Sequence, residues 1–324
     1  MKKNDKWFGP VNPPFAFPFY YASLSSLTVF YRVEAKRLAA VSDRLKGAGL
    51  KAAKFGGQAA VSIEFQNYTG HGGQLLETVN EVEFNILAYP KSREHLVPRN
   101  LTLEEFVAGQ DQTKIIGGYR VDVPADNAFA VWAGADAFGE QKFYTTFEYN
   151  IPSLNNPAQN PDTWEYTVHQ PGFAGKPPAK PKDIIYGIRA SLAGLTPNVS
   201  NPSPIPLYSV SDYQNKKCYN HPVGNPDDPN CRKNPVSCCL DRRRNQYAKG
   251  DKLIISYWNI WGPYHYYKAE KGSRMDVAFT LGKSKDRMKG DLEAILGGKP
   301  VADFARVFQS TPAATESRPV FVEV

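Results

Sequence analysis

Two segments of this chain alternate apolar and polar side chains with the two-residue period of a β-strand, and both put glutamates on one face. In Ala59–Gln66 (AAVSIEFQ), Val61, Ile63 and Phe65 share one face, and Ser62, Glu64 and Gln66 share the other. In Thr78–Tyr89, Val82, Phe84 and Ile86 oppose Glu81 and Glu83. A third segment, Leu27–Val33 (LTVFYRV), is β-branched and aromatic and also alternates. A glutamate on the outer face of an open sheet is ordinarily solvated. On a sheet that closes on itself, the same face lines an interior.

Further strands are expected at Ile115–Val123, Ala128–Ala133, Phe143–Tyr149, Thr163–Val168, Ile184–Leu192, Leu253–Tyr257, Ser273–Leu281 and Val320–Val324. Helical signals are fewer. Glu34–Leu45 reads as a short amphipathic helix ended by Gly47-Ala48-Gly49. Thr102 and Glu105 match a capping box, and Asp286–Leu296 places Met288, Leu292, Ile295 and Leu296 on one face. Tyr68–Gly73 reads as a turn, with His71 a loop residue. The expectation is one α+β domain over 1–324, an antiparallel barrel or cone with short helices outside it. An arm at 1–20, rich in Pro and aromatic residues, precedes the body, and an irregular insertion at 203–246 holds all four cysteines.

The 18 Tyr, 18 Phe and 5 Trp fit β-structure with aromatic-lined pockets, and the 26 Pro and 25 Gly fit many turns. The net charge of +7 is scattered, its densest run being Arg242-Arg243-Arg244. No nucleic-acid-binding motif accompanies it, so general solubility or a small anionic substrate accounts for it better. No stretch approaches the ~18 apolar residues of a membrane span. Asn4-Asp5-Lys6 stands where a secretory signal needs its apolar core, so the expected location is the cytoplasm.

There is no phosphate-binding glycine loop, nucleophile elbow or HExxH helix, and the five histidines (71, 95, 169, 221, 265) are scattered singly. No cofactor is expected. Three states stay open for the cysteine insertion. The first is free, partly buried thiols. The second is a structural zinc held by Cys218, His221, Cys231 and one of Cys238 and Cys239; the third is disulfides. The acid–base inventory is therefore carboxylates, tyrosines and lysine. Lys142 stands out as the only lysine between Lys114 and Lys176, with apolar and aromatic flanks. Desolvation lowers a lysine's pKa towards the range where the free amine is a nucleophile. The alternative is a rim lysine that snorkels to water.

Several consecutive pieces resemble the acetoacetate decarboxylase-like superfamily. They are LTVFYRVEAKRL, the AAVSIEF strand, a Gly-rich loop into VNEVEF, and then a glycine turn followed by a lysine. The resemblance covers residues 24–150, and a looser match is Gly272-Ser273-Arg274. It implies a Schiff-base lysine at Lys142, a catalytic glutamate at Glu81 (Glu77 in the other register) and an acidic cavity residue at Glu64. Tyr31, Asp136 and Tyr144 are expected at the cavity wall. The implied activity is that of a lyase of decarboxylase, aldolase or dehydratase type on a small keto acid or ketone. The implied setting is secondary metabolism, in a homo-oligomer, with no nucleic-acid or membrane partner. A relative that binds small molecules without using the lysine is the alternative. The chain departs from the family pattern in the glycine turn, Gly134-Ala135-Asp136-Ala137, which lacks the family's arginine. Phe143 replaces the second lysine, and Leu24 replaces a substrate-binding arginine. The departures point to a larger or less acidic substrate.

Overall fold

The computed structural model describes residues 17–71, 76–152, 162–171, 184–210, 252–310 and 315–321. Cys218, His221, Cys231, Cys238 and Cys239 lie outside the described residues, as does most of the arm at 1–20. In chain order the strands are β1 (Phe19–Val33), β2 (Leu50–Ala52), β3 (Lys54–Phe55), β4 (Gln58–His71), β5 (Leu76–Pro90) and β6 (Gly117–Ala125). There follow β7 (Lys142–Tyr144), β8 (Phe147–Asn150), β9 (Thr163–His169), β10 (Ile184–Ser191), β11 (Asn198–Ser200) and β12 (Ile205–Val210). The last are β13 (Leu253–Ile260), β14 (Tyr264–Tyr267), β15 (Asp276–Leu281), β16 (Phe304–Ser310) and β17 (Thr315–Phe321). The helices are α1 (Ser42–Gly47), α2 (Leu103–Val107), α3 (Ala128–Phe138) and α4 (Arg287–Leu296). The protein is thus strand-rich α+β, as its residue pattern implies.

Two sheets form. The larger runs β11-β14-β16-β1-β17-β13-β12-β6-β5-β4-β3, with β2 on β5 and β7 on β6, and β4 pairs in addition with β1 from Tyr20↔His71 to Val33↔Ala59. Its pairings are antiparallel except those of β6 with β12 and β7. The smaller sheet runs β15-β10-β9-β8. The apolar faces of β1, β4 and β5 supply Leu27, Val29, Val61, Ile63, Phe65, Val82, Phe84 and Ile86 to the main core, which the small sheet joins. Phe65 stacks on Tyr166 at 4.7 Å between ring centroids, and Tyr186 on Phe279 at 5.6 Å. Helix α4 adds Met288, Leu292, Ile295 and Leu296, the face read from its spacing, and the Asp286 side chain caps it by accepting from the Met288 N–H. The capping box at Thr102 and Glu105 is also formed.

Several local expectations are corrected. Ala128–Ala133 is helix, not strand. A short apolar run cannot declare its period, and the Asn127 side chain accepts from the Ala130 N–H to start a helix that Gly139, at φ +65°, ends. Phe143–Tyr149 is not one strand, because β7 joins the large sheet and β8 the small one. The helix expected at Glu34–Leu45 is a 3₁₀ segment, Ala35–Val41, followed by α1. Tyr68–Gly73 is not a turn up to His71: β4 continues there, because β1 and β5 pair with it on both edges. Strand β16 was not anticipated, although it pairs with β1 over seven residues. Among the described residues no helix is long and apolar enough to cross a membrane.

Candidate active site

The polar faces of β4 and β5 look away from the core, and the candidate site is built on that side. Glu81 and Glu83 leave β5 on one face. The pairing of β5 with β6 shifts register between Phe84↔Asp122 and Asn85↔Arg120. Such a bulge re-aims the strand's side chains. Arg120 consequently joins the glutamates, whereas Asp122 points to the other side, where Arg287 of α4 meets it at 2.6 Å. Past β6 the chain forms α3, turns at Gly139 and enters β7, so that Glu140 and Lys142, two residues apart, emerge on one side.

The Lys142 Nζ lies 2.7 Å from Glu81 Oε2 and 2.8 Å from Glu140 Oε2. The Tyr68 hydroxyl donates to the same Glu81 oxygen at 2.9 Å. Arg120 pairs with the other oxygen of Glu140, donates to Ser256 and stands 3.8 Å from Glu83 Oε1. Asn85 donates to Glu83 at 3.1 Å. Lys142 and Glu81 are each 4 % exposed, Arg120 3 % and Glu83 2 %, so this is an ion cluster removed from bulk water. It forms one end of a cavity of about 60 Å3 whose remaining wall is largely apolar, with Phe19, Tyr21, Phe129, Phe138 and Trp258 prominent. At 10–15 Å3 for one water centre, that volume takes about four waters or a small organic molecule. Gly134 of α3 closes the approach: a Cβ there would sit 2.5 Å from Lys142 Cδ, 2.9 Å from its Nζ, and against Glu140 Oε2.

The protonation states follow from burial set against pairing. Burial alone would lower the Lys142 pKa, but Glu140 and Glu81 together outweigh it and hold the amine above its ordinary range. The expectation that desolvation leaves this amine uncharged is therefore corrected for the resting state, because two carboxylates hold its proton. Burial pushes Glu140 up as well, yet Lys142 and Arg120 together pull it below the usual carboxylate range. Glu81 is raised, by burial first and with Glu140 adding to it, against the pull of Lys142. Glu83 is pushed up to about 8 by burial, which Arg120 only partly offsets. Burial and pairing thus favour a charged Lys142 beside an ionised Glu140, and a protonated Glu83 at neutral pH, with Glu81 drawn towards its protonated form by burial and towards its ionised form by Lys142.

The remaining residues singled out in the sequence are placed as follows. Glu64 pairs across strands with Glu83 but lines a second cavity of about 40 Å3 with Asp111, Lys114 and Arg306, and burial raises its carboxyl against the pull of Arg306. Tyr31 is not brought to the site. It belongs to the apolar face of β1, in the core with Tyr166 and Tyr186, because its odd position puts it with Leu27 and Val29. Tyr144 lies in the apolar cluster behind the cavity, with Tyr21, Tyr68 and Ala130. The backbone of Glu77 pairs with Gly70, and Asp136 sits on α3; the side chains of both lie outside the described residues. Glu140, Arg120 and Tyr68 were missed. Glu140 had a signal, the two-residue spacing to Lys142. Arg120 had none, because the bulge that aims it leaves no mark in the alternation. Among the described residues, no group of three His, Cys, Asp or Glu is arranged to hold a metal ion.

No protein-family model matches the chain, and no curated protein matches it. Solved structures do. The enduracididine biosynthesis enzyme MppR complexed with pyruvate aligns with a TM-score of 0.56 at 11% identity, covering 97% of this chain and 94% of that one. The same enzyme complexed with the condensation product of pyruvate and imidazole 4-carboxaldehyde gives 0.53 at 11%, covering 94% and 89%. An acetoacetate decarboxylase gives 0.53 at 11%, covering 98% and 97%. The chain therefore has the acetoacetate decarboxylase-like fold over nearly its whole length.

Proposed function

We propose that this chain, with its acetoacetate decarboxylase-like fold, is a Schiff-base-forming lyase of decarboxylase, aldolase or dehydratase type. It would act on a small keto acid or ketone through Lys142. The observation that carries the reading is the buried Lys142 amine at the cavity end, 2.7 Å from Glu81 and 2.8 Å from Glu140. The carbonyl ligands of the structural neighbours support the substrate class. The pairing of β4 with β1 supports a ring of β1, β17, β13, β12, β6, β5 and β4, a cone whose inner face carries the glutamates.

In the proposed chemistry the resting ammonium passes one proton along the 2.7 Å contact to Glu81, whose burial already favours the protonated carboxyl. The transfer leaves the net charge of the cluster unchanged, and the amine becomes a nucleophile. The amine adds to the carbonyl carbon to give a carbinolamine. Glu81 returns the proton to the departing hydroxyl, which leaves as water. The protonated imine then serves as an electron sink for carboxylate loss, carbon–carbon cleavage or condensation, or dehydration. Arg120 keeps Glu140 ionised, and Glu140 positions the lysine. Glu64, beside Glu83, would take part in the surrounding proton network.

A second reading, small-molecule binding without imine chemistry, draws support from the carboxylates that hold Lys142 protonated. Borohydride trapping with a panel of ketones and keto acids, read by peptide mass spectrometry, separates the two. A mass increment on the Lys142 peptide is expected. Binding by panel members with no increment on that peptide would leave only the second reading.

A further inference from the structure

The charges on the cavity wall bear on which carbonyl compounds can enter. Among the described residues the basic side chains on the wall are Lys142, Arg120 and, at the exposed end of β4, His71; the lysine and the arginine are both already engaged by carboxylates. Three carboxyls, Glu81, Glu83 and Glu140, surround that one lysine and one arginine, so carboxyls already outnumber the paired cations. A substrate carboxylate adds one negative charge to this buried, carboxyl-rich cluster. At the buried end it meets no lysine or arginine that is not already paired, and to reach one it has to displace a glutamate, whose charge would then be buried without a partner. Leu24, where the family pattern has an arginine, is 1 % exposed and packed among Tyr21, Tyr68 and other apolar side chains. Arg306 serves the second cavity instead, its guanidinium lying 4.8 Å from the centre of the Tyr264 ring and 5.3 Å from that of Phe30.

The rest of the wall suits a flat apolar group. Tyr21 lies 4.6 Å from Trp258 and 5.1 Å from Tyr68 between ring centroids, and Phe19 lies 5.6 Å from Phe138. Ring faces and edges offer an aromatic guest the offset and edge-on contacts that rings prefer.

We infer that the Lys142 cavity selects an uncharged aldehyde or ketone bearing an aromatic or similarly flat substituent, and excludes keto acids of the same shape. This rests on the imine-forming reading above and narrows it. With no carboxylate to lose, the imine would serve aldol-type bond formation or cleavage, or dehydration, and not decarboxylation. The entry step balances: the Lys142 ammonium and the carbonyl compound give the protonated imine and one water, and Glu81 ends as it began.

The test pairs phenylacetone with phenylpyruvate, which differ in a methyl against a carboxylate. Binding to the whole protein is measured by calorimetry, and adducts are trapped with borohydride and mapped. The ketone is expected to bind about tenfold or more tightly than the acid and to label the Lys142 peptide. Equal or tighter binding of the acid overturns the inference, as does the absence of binding by either. Tighter binding of the ketone without any adduct keeps the charge selection and defeats the imine reading. Glu140→Gln releases one cation, so the disadvantage of the acid should shrink by about tenfold. A folded variant with an unchanged ratio counts against the inference. Should that variant fail to fold, Glu81→Gln makes the same measurement.

Discussion

Lys142 Nζ reaches Glu81 Oε2 at 2.7 Å although their strands do not pair with each other: β7 and β5 flank β6 on opposite edges. The contact spans β6 at the level where Lys142 pairs with Val123 and Glu81 pairs with Ala125. Such a pair draws its geometry from three strands at once. Glu81 on β5 and Lys142 on β7 are each fixed by their strand's pairing with β6, which is how a buried ion pair keeps one arrangement.

Replacing Lys142 by Met removes the proposed nucleophile and leaves Glu81 and Glu140 facing each other. Trapping of any ketone at this position should vanish, and turnover should fall on the order of 10³-fold or more. Stability should drop by about 3 kcal/mol at neutral pH, and less in acid where a carboxyl can take up a proton. Denaturant melts at two pH values check the second part.

Glu81→Gln keeps an acceptor for the Tyr68 hydroxyl but cannot receive the lysine proton. Imine formation should slow by about 10²–10⁴-fold with little change in the affinity for an uncharged ketone. Comparable rates in rapid-mixing traces of the two proteins would show that the proton leaves by another route.

Gly134→Ala sets two effects against each other. Alanine in mid-helix is worth about 1 kcal/mol over glycine, whereas overpacking costs about 1–3 kcal/mol. The added methyl would meet Lys142 Cδ at 2.5 Å and crowd Glu140, both at a buried site, so the steric cost should win. The variant is expected to melt lower than the wild type and to lose trapping at Lys142. Gly290 on α4 has open space at the same test, so Gly290→Ala should melt higher and serves as the control.

Glu83 supplies a pH dependence. Its carboxyl moves from the ordinary 4.5 to about 8 in the fold, chiefly through burial. A group protonated in the fold and ionised in the unfolded chain contributes stability that is complete below the ordinary value. That contribution is lost as pH rises through about 8. Glu83→Gln cannot ionise, so its unfolding free energy should gain on the wild type between about pH 5 and pH 9, by a few kcal/mol at most. Parallel pH profiles for the two proteins would contradict this.

Much of the frame was legible along the chain. The faces of Ala59–Gln66 and Thr78–Tyr89, the buried stripe of α4 and the capping box at Thr102 are local patterns, and periodicity reads them directly. Ala128–Ala133 was misread because a short apolar run suits strand and helix alike, and only its Asn127 cap and its packing above Lys142 decide. Lys142 stood out by its isolation and its apolar flanks, and the family resemblance gave it and Glu81 their expected roles. Glu140 could have been found from its spacing to Lys142, and Arg120 could not.

What the residues by themselves determined is which side chains share a face, since a strand's two-residue repeat and a helix's turn are properties of the backbone. Tertiary structure alone decided which faces meet. The bulge opposite Phe84 turns Arg120 inward, and the crossing of β6 brings Lys142 to Glu81. The resulting cluster of one lysine, one arginine and three carboxyls sets the electrostatics of the cavity's buried end. Those outcomes depend on distances between residues far apart in the chain, in a place where water does not screen them, and no local pattern records such distances.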